Sequence, residues 1–190
     1  ERRFTLDDDE LQEELYRLAE EPKVMGNVPI PFSLREHRIS GIIGPRRDVA
    51  SFVKSIIFQL AALHSYDELK MVFLYASNEQ DEWEFVKWLP HVWSDDRSMR
   101  FIAAAPGEAK ALSAYFEQVL AEREAAAASA GERSEWSPHY VVFAMDKTIA
   151  SRTEMIGMLL RQKRPLGFSV VHLYDELKHL PKECSAVIDY

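Results

Sequence analysis

The sequence contains one cysteine, Cys184, so no internal disulfide can form and a reducing, cytosolic setting is expected. It has no secretory leader and no apolar run long enough to cross a bilayer. It has no basic excess: the formal charge is −8 at pH 7. That argues against a general nucleic-acid or membrane-surface binder, which needs a basic face, but leaves room for a local basic patch. The one local exception is Arg161-Gln-Lys-Arg164, read as a solvated helix end whose cations complement the helix dipole. His37, His64, His91, His139, His172 and His179 are scattered, and only His172/His179 form even a loose pair, so no metal site is expected. There is no G-x-S-x-G elbow for a nucleophilic serine and no internal repeat. The initiator Met is absent and the chain stops inside Ser185-Ala-Val-Ile-Asp-Tyr190, so both ends read as cut from something longer.

What is present suits one folded domain. At 190 residues with 47% apolar side chains, the chain can bury a full core. Near-continuous apolar runs at Leu69–Ala76, His139–Met145 and Phe168–Tyr174 predict strands buried on both faces. A shorter strand is expected near Arg100–Ala104, and another in the C-terminal run. Between them lie helical patterns: apolar positions 49, 52, 53, 56, 57, 60 and 63, then 112, 115, 116, 119 and 120, then a helix around Arg152 to Arg161 closed by Gly167. The alanine-rich stretch from Ala125 to Gly131 is expected to be exposed. Strands alternating with helices predict an α/β fold, a doubly wound, mainly parallel sheet with helices on both faces. Residues 1–27 read as a helical lead-in, capped by Thr5 or Asp7 with a stripe of Leu11, Leu15 and Leu18, and 28–190 as the single domain. The prolines at 29 and 31 mark Val28–Leu34 as an edge strand or extended arm.

The organising stretch is Ile39-Ser-Gly-Ile-Ile-Gly-Pro-Arg-Arg-Asp48: a short strand, a tight turn and a helix start. This is the frame of the phosphate-binding G-x-x-x-x-G-K-[ST] loop. Counting from Gly41, Ile43 or Gly44, no register supplies the Gly-Lys pair. That glycine lets the chain curl so that successive N–H groups face the phosphates, and that lysine brings a point charge to their oxygens. Here Asp48 places a carboxylate at the helix start, where as an N-cap it would occupy the donors a ligand needs. Gly44, Pro45, Arg46, Arg47 and Asp48 are therefore vestigial nucleotide-site candidates.

Tyr140-Val-Val-Phe-Ala-Met-Asp146 has the form of a Walker B strand, whose acid orients Mg²⁺. Lys147 stands where a catalytic Glu would follow. The structural alternative is an Asp that caps the next helix. Trp83, Trp88 and Trp93 form a dense aromatic cluster, read either as core or as a partner-docking surface, since Trp is enriched at interface hot spots.

Three stretches carry a family resemblance: Gly44-Pro-Arg46 with its helix to His64, Leu69-Lys-Met-Val-Phe-Leu74, and Trp83-Glu-Phe-Val-Lys-Trp-Leu-Pro-His-Val92. Together they resemble the EssC/EccC ATPases of type VII secretion systems, the W-x-x-x-x-W-L-P-H string being the most specific. The segment Ile156 to Leu173 is similar to the region after Walker B in FtsK/SpoIIIE motors, with Tyr174-Asp175 where those have a Thr-Gln sensor. Leu180-Pro-Lys-Glu-Cys184 is similar to the stretch before their last strand. The resemblance spans about residues 28–190 and implies a RecA-like P-loop NTPase fold in the first, degenerate module of a tandem array, closest in texture to the Firmicute EssC type. It further implies a cytoplasmic domain of a membrane-anchored bacterial motor. No cofactor is expected in this module, with ATP and Mg²⁺ in the parent's other modules. The expected partners are neighbouring modules, membrane components of the machine and secreted substrates, with no nucleic acid and a hexameric assembly only in the full machine. Two competing readings stay open: a divergent NTPase using Arg46 or Arg47 with Asp146, and DNA translocation, which the acidic charge disfavours.

Overall fold

Three strands form the middle of the sheet because their sequences are apolar on both sides of the pleat. In the computed structural model, which describes residues 16–17, 28–130 and 136–190, these are β2 (Leu69–Leu74), β4 (His139–Ala144) and β5 (Phe168–Tyr174), buried along almost their whole length. They are joined by β1 (Ile39–Ile43), the two-residue β3 (Ile102–Ala103) and β6 (Ala186–Asp189). The order is β3-β2-β4-β5-β1-β6 and every pairing is parallel. Parallel strands need crossovers, and these cover both faces with helices. The expected doubly wound α/β architecture is thus the one observed, and every strand ends at the same edge.

On the first face lies α1 (Arg46–Leu63), which buries Val49, Ala50, Val53 and Ile57. Their spacing of three to four residues is the stripe that a 3.6-residue period presents to a sheet. Each fully buried valine or isoleucine contributes about 1.5–3 kcal/mol. The short helix α2 (Gln80–Trp83) and the 3₁₀ turn Glu84–Trp88 complete this layer over Met71, Phe73, Phe143 and Leu173. Phe73 and Phe143 are register partners on neighbouring strands and stack at 5.1 Å. The second face carries α3 (Pro106–Ala130), α4 (Lys147–Arg152) and α5 (Glu154–Arg161) over a cluster of Phe101, Phe116, Tyr140 and Phe168.

Several expectations need correction. Residues 28–33 form no strand, consistent with two prolines that cannot donate to a ladder. The lead-in helix, with its caps and leucine stripe, lies outside the described residues apart from helical Tyr16 and Arg17. The helix expected around Arg152–Arg161 is α5, which begins at Glu154 because Thr153 is extended (φ −92°, ψ 108°) and its hydroxyl donates to the Ile149 carbonyl of α4. Gly167 does not close α5, which ends at Arg161 with Gln162 as its C-cap. It turns the chain into β5 at φ +75°.

That turn is held by a cation buried without a carboxylate partner among the described residues. Arg123, 7% exposed, donates to the carbonyls of Leu166 (2.7 Å), Gly167 (3.4 Å) and Pro138 (2.7 Å). Its guanidinium lies 4.9 Å from the Tyr140 ring centre and 5.2 Å from that of Phe168. One side chain of α3 thereby fixes the entries to β4 and β5. Gly167 has no room for a side chain, since a Cβ would sit 2.5 Å from that guanidinium. Arg123→Met should destabilise the protein by about 3 kcal/mol in urea unfolding, because buried carbonyls lose a charged donor. Arg123→Lys should rescue less than half, as one ammonium cannot span three acceptors. A loss below about 0.5 kcal/mol for the Met variant would contradict this assignment.

Candidate functional site

The carboxyl-terminal edge of the sheet is where ligands bind in open α/β folds, and it brings together residues 44–48, which follow β1, and Asp146 and Lys147, which follow β4. Gly44 follows β1 at φ +143°, a conformation that side chains disfavour. A Cβ there would lie 2.6 Å from the Tyr190 carbonyl oxygen. Tyr190 donates its N–H to the Ile43 carbonyl (2.9 Å) and stacks on Phe52 of α1 at 5.1 Å. Gly41 answers a different need: a Cβ would come within 2.4 Å of Leu180, which packs directly over it. Backbone conformation and the nearby Tyr190 carbonyl therefore require glycine at position 44, whereas at Gly41 the neighbour is the tip of the Leu180 side chain.

Arg46, the first residue of α1, is fully engaged. Its Nε donates to Glu79 Oε1 (2.8 Å), a second nitrogen pairs with Glu79 Oε2, and a third donates to the Leu173 carbonyl at the end of β5 (3.3 Å). Arg47 and Asp48 are exposed. The expectation that Asp48 caps the helix is overturned: Pro45 is the N-cap, no side chain caps it, and the N–H groups of Asp48 and Val49 bond the Pro45 carbonyl. Proline fixes φ and pre-shapes this entry, which leaves Asp48 two residues inside the helix.

Asp146 leaves β4 and caps α4, accepting from the Ile149 N–H at 2.7 Å. The capping alternative read from the sequence therefore describes its hydrogen bonding, and Lys147 beside it is exposed. Asp146 also lies close enough to Tyr174 to help raise the phenol's pKa, although burial is the larger cause. Tyr174 bonds the ring of His172 (3.1 Å), whose burial lowers its pKa to about 4. This histidine fits because its register neighbours are Gly41 and Ala144. The Cys184 thiol is pushed up to about 11, chiefly by burial and then by Glu183.

The tryptophans part company. Trp83 is fully buried, which corrects its assignment as a docking residue. Trp93 is half-buried beneath the Arg100 guanidinium, 4.3 Å from its ring. Trp88 alone stands out, 79% exposed. In a 3₁₀ turn residues three apart eclipse, so Trp88 follows Phe85, which stacks on Phe58 of α1 at 5.2 Å.

Sequence reasoning missed Glu79 and Tyr190. Glu79 sits in the polar run Ser77–Glu82, where no pattern distinguishes a pairing carboxylate from a solvated one. Among the described residues, no cluster of His, Cys, Asp and Glu could hold a metal ion, and no helix is long and apolar enough to cross a membrane.

No protein-family model matches the chain. Curated relatives do. The ESX secretion system protein EccC of Geobacillus thermodenitrificans is 24% identical over 183 residues, 96% of this chain and 12% of the relative. YukB of Bacillus subtilis is 25% identical over 189 residues, 97% of this chain and 12% of the relative. EssC of Staphylococcus aureus is 22% identical over 152 residues, 77% of this chain and 10% of the relative. Among solved structures, the cytoplasmic domain of the type VII secretion ATPase EccC of Thermomonospora curvata superposes with a TM-score of 0.50 at 13% identity, covering 78% of this chain and 17% of that one. It shares the RecA-like α/β fold. The chain spans about one eighth of the length of EccC and YukB, and over most of its own length it is similar to these proteins of ESX and type VII secretion systems.

Proposed function

We propose that this chain is a non-catalytic, ATPase-like module of a type VII secretion motor. It couples the parent's membrane base to downstream modules that bind ATP and Mg²⁺ and turn over. The observation that carries the reading is the engagement of Arg46 by Glu79 and the Leu173 carbonyl. For a triphosphate to use that guanidinium it must displace a bidentate carboxylate, an exchange that costs on the order of 1–3 kcal/mol. Glu79 would then face the phosphates as an uncompensated negative charge. The other expected ligand, Asp146, has its Oδ1 committed to the α4 cap, and Lys147 offers no general base. The residues at the turn do not fit a bound nucleotide and its metal.

In this reading the module works through its surfaces. Its partners are adjacent modules of the same chain, membrane components of the machine and secreted substrates, in an assembly that is hexameric only in the whole machine. The domain lies on the cytoplasmic side of the membrane that anchors the parent. Trp88, exposed at the end of its 3₁₀ turn, is the docking candidate, because an exposed Trp suits an interface anchor. The competing reading, a divergent NTPase using Arg46, Arg47 and Asp146, draws support only from the chemistry of arginine with phosphate.

Calorimetry with ATP and Mg²⁺ is expected to give no saturable isotherm in the micromolar range, and phosphate release is expected to be the same for the wild type and Asp146→Ala. A micromolar isotherm, or a rate that falls with Asp146→Ala, would instead establish the divergent NTPase. Trp88→Ala should leave the urea midpoint within about 0.5 kcal/mol of wild type. The same change in the parent should reduce co-purification of the secretion machine's other components. Undiminished co-purification would remove Trp88 from the interface.

A further inference from the structure

At the edge of the sheet where the strands begin, the corner at β1 and β5 has a charge character opposite to that of the chain. Elsewhere on that edge, Asp67, Glu68 and Asp95 near the start of β2 and Glu183 before β6 are exposed acids. Arg38 immediately precedes β1 and is anchored by the loop that leads into β5: its guanidinium donates to the Arg164 carbonyl (2.7 Å) and the Gln162 carbonyl (3.1 Å). The same loop carries Arg161, Lys163 and Arg164, all exposed, and none has an ion-pair partner among the described residues. Arg161 folds back along α5, its guanidinium 3.3 Å from the position a Cβ would take at Gly157. Glu124 accepts from the Gln162 amide rather than from any of these cations. Arg38 and Arg164 also rim a cleft floored by Ile39, Leu159, Phe168 and Val170 that has room for about one water molecule (≈ 10 Å³). The arrangement can therefore meet an anionic surface but cannot take in an acyl chain or a base.

We propose that this edge, through Arg38, Arg161, Lys163 and Arg164, docks the domain on an anionic phospholipid surface at headgroup level. A cluster of four cations is enough to bind acidic lipids, at a contribution that falls off within a Debye length. Nucleic-acid recognition asks for a basic domain with a stripe that follows a phosphate backbone. This chain has a pI near 5.3 and its cations stop at one loop. Against a planar bilayer the acids elsewhere on the domain, including Asp67, Glu68 and Asp95 near the start of β2, are repelled, so the corner formed by Arg38 and residues 161–164 is what faces the lipid. The carboxyl-terminal edge, with Arg46, then points away from the lipid.

The test is co-sedimentation of the chain with vesicles of phosphatidylglycerol and phosphatidylcholine, compared with phosphatidylcholine alone. Wild type should sediment with the anionic vesicles only, and progressively less as salt rises. The triple variant Arg161→Gln/Lys163→Gln/Arg164→Gln should partition about a hundredfold more weakly at low salt, with an unchanged circular dichroism spectrum. The Arg161→Lys/Arg164→Lys variant should keep binding. Failure of wild type to bind anionic vesicles at low salt would overturn the proposal, as would equal binding by the triple variant. Duplex-DNA binding that the triple variant abolishes, without vesicle binding, would assign the edge to nucleic acid and overturn it equally.

Discussion

Arg46 and Glu79 lie at the ends of strands that are not neighbours. Arg46 opens the helix after β1 and Glu79 follows β2, with β5 and β4 between them in the sheet. At a spacing of roughly 4.8 Å per strand, their contact spans a distance of about 14 Å across the crest of the sheet. A guanidinium can close that gap because α1 carries it toward β2 and because its planar fork matches the carboxylate. On the way it also takes the Leu173 carbonyl of β5. One interaction therefore ties three strand ends together at the edge where α/β proteins place their ligands. The pair is partly exposed, with side chains at 33% and 25% exposure, so its contribution to stability is modest, on the order of 1 kcal/mol. Its consequence for ligand binding is larger, since it removes the only guanidinium next to the turn that is not directed to solvent.

The rest of the edge is consistent with that arrangement. The Gly44 turn has its space taken by the Tyr190 carbonyl, and the Asp146 carboxylate caps α4. His172 is buried between Gly41 and Ala144 as a neutral ring. Each of these positions has a structural task that can be named from its contacts. A nucleotide would have to undo several of them together. At the opposite edge the cations of the Arg161–Arg164 loop have no such task, apart from main-chain carbonyls of that loop that receive Arg38.

The architecture was legible in the sequence because it rests on periodicity. Runs such as Met71–Leu74 and Val141–Ala144 have no polar side to turn to solvent, which requires helices on both faces of the strands. The stripe of α1 was legible for the same reason. Boundaries that depend on a single residue were not: Thr153 breaks a helix by bonding back to the preceding turn, and the same residue type elsewhere sits within helices. The helix cap was misassigned to Asp48 because its side chain is a good capper, while the chain geometry set by Pro45 decided the matter. Glu79 was invisible because its partner is distant in sequence, and charge pairing across a sheet leaves no local pattern. Of the three tryptophans only burial could separate Trp83 from Trp88, and both lie in one acidic-aromatic run.

The central claim is that the turn after β1 is closed to phosphates by its own protein contacts. A crystal of the protein soaked with a non-hydrolysable ATP analogue and Mg²⁺ tests it directly. The account predicts density for Arg46 on Glu79 and the Leu173 carbonyl, with no phosphate in the turn. Ordered phosphates against Gly44–Arg47, with Arg46 swung away from Glu79 and a metal beside Asp146, would contradict it.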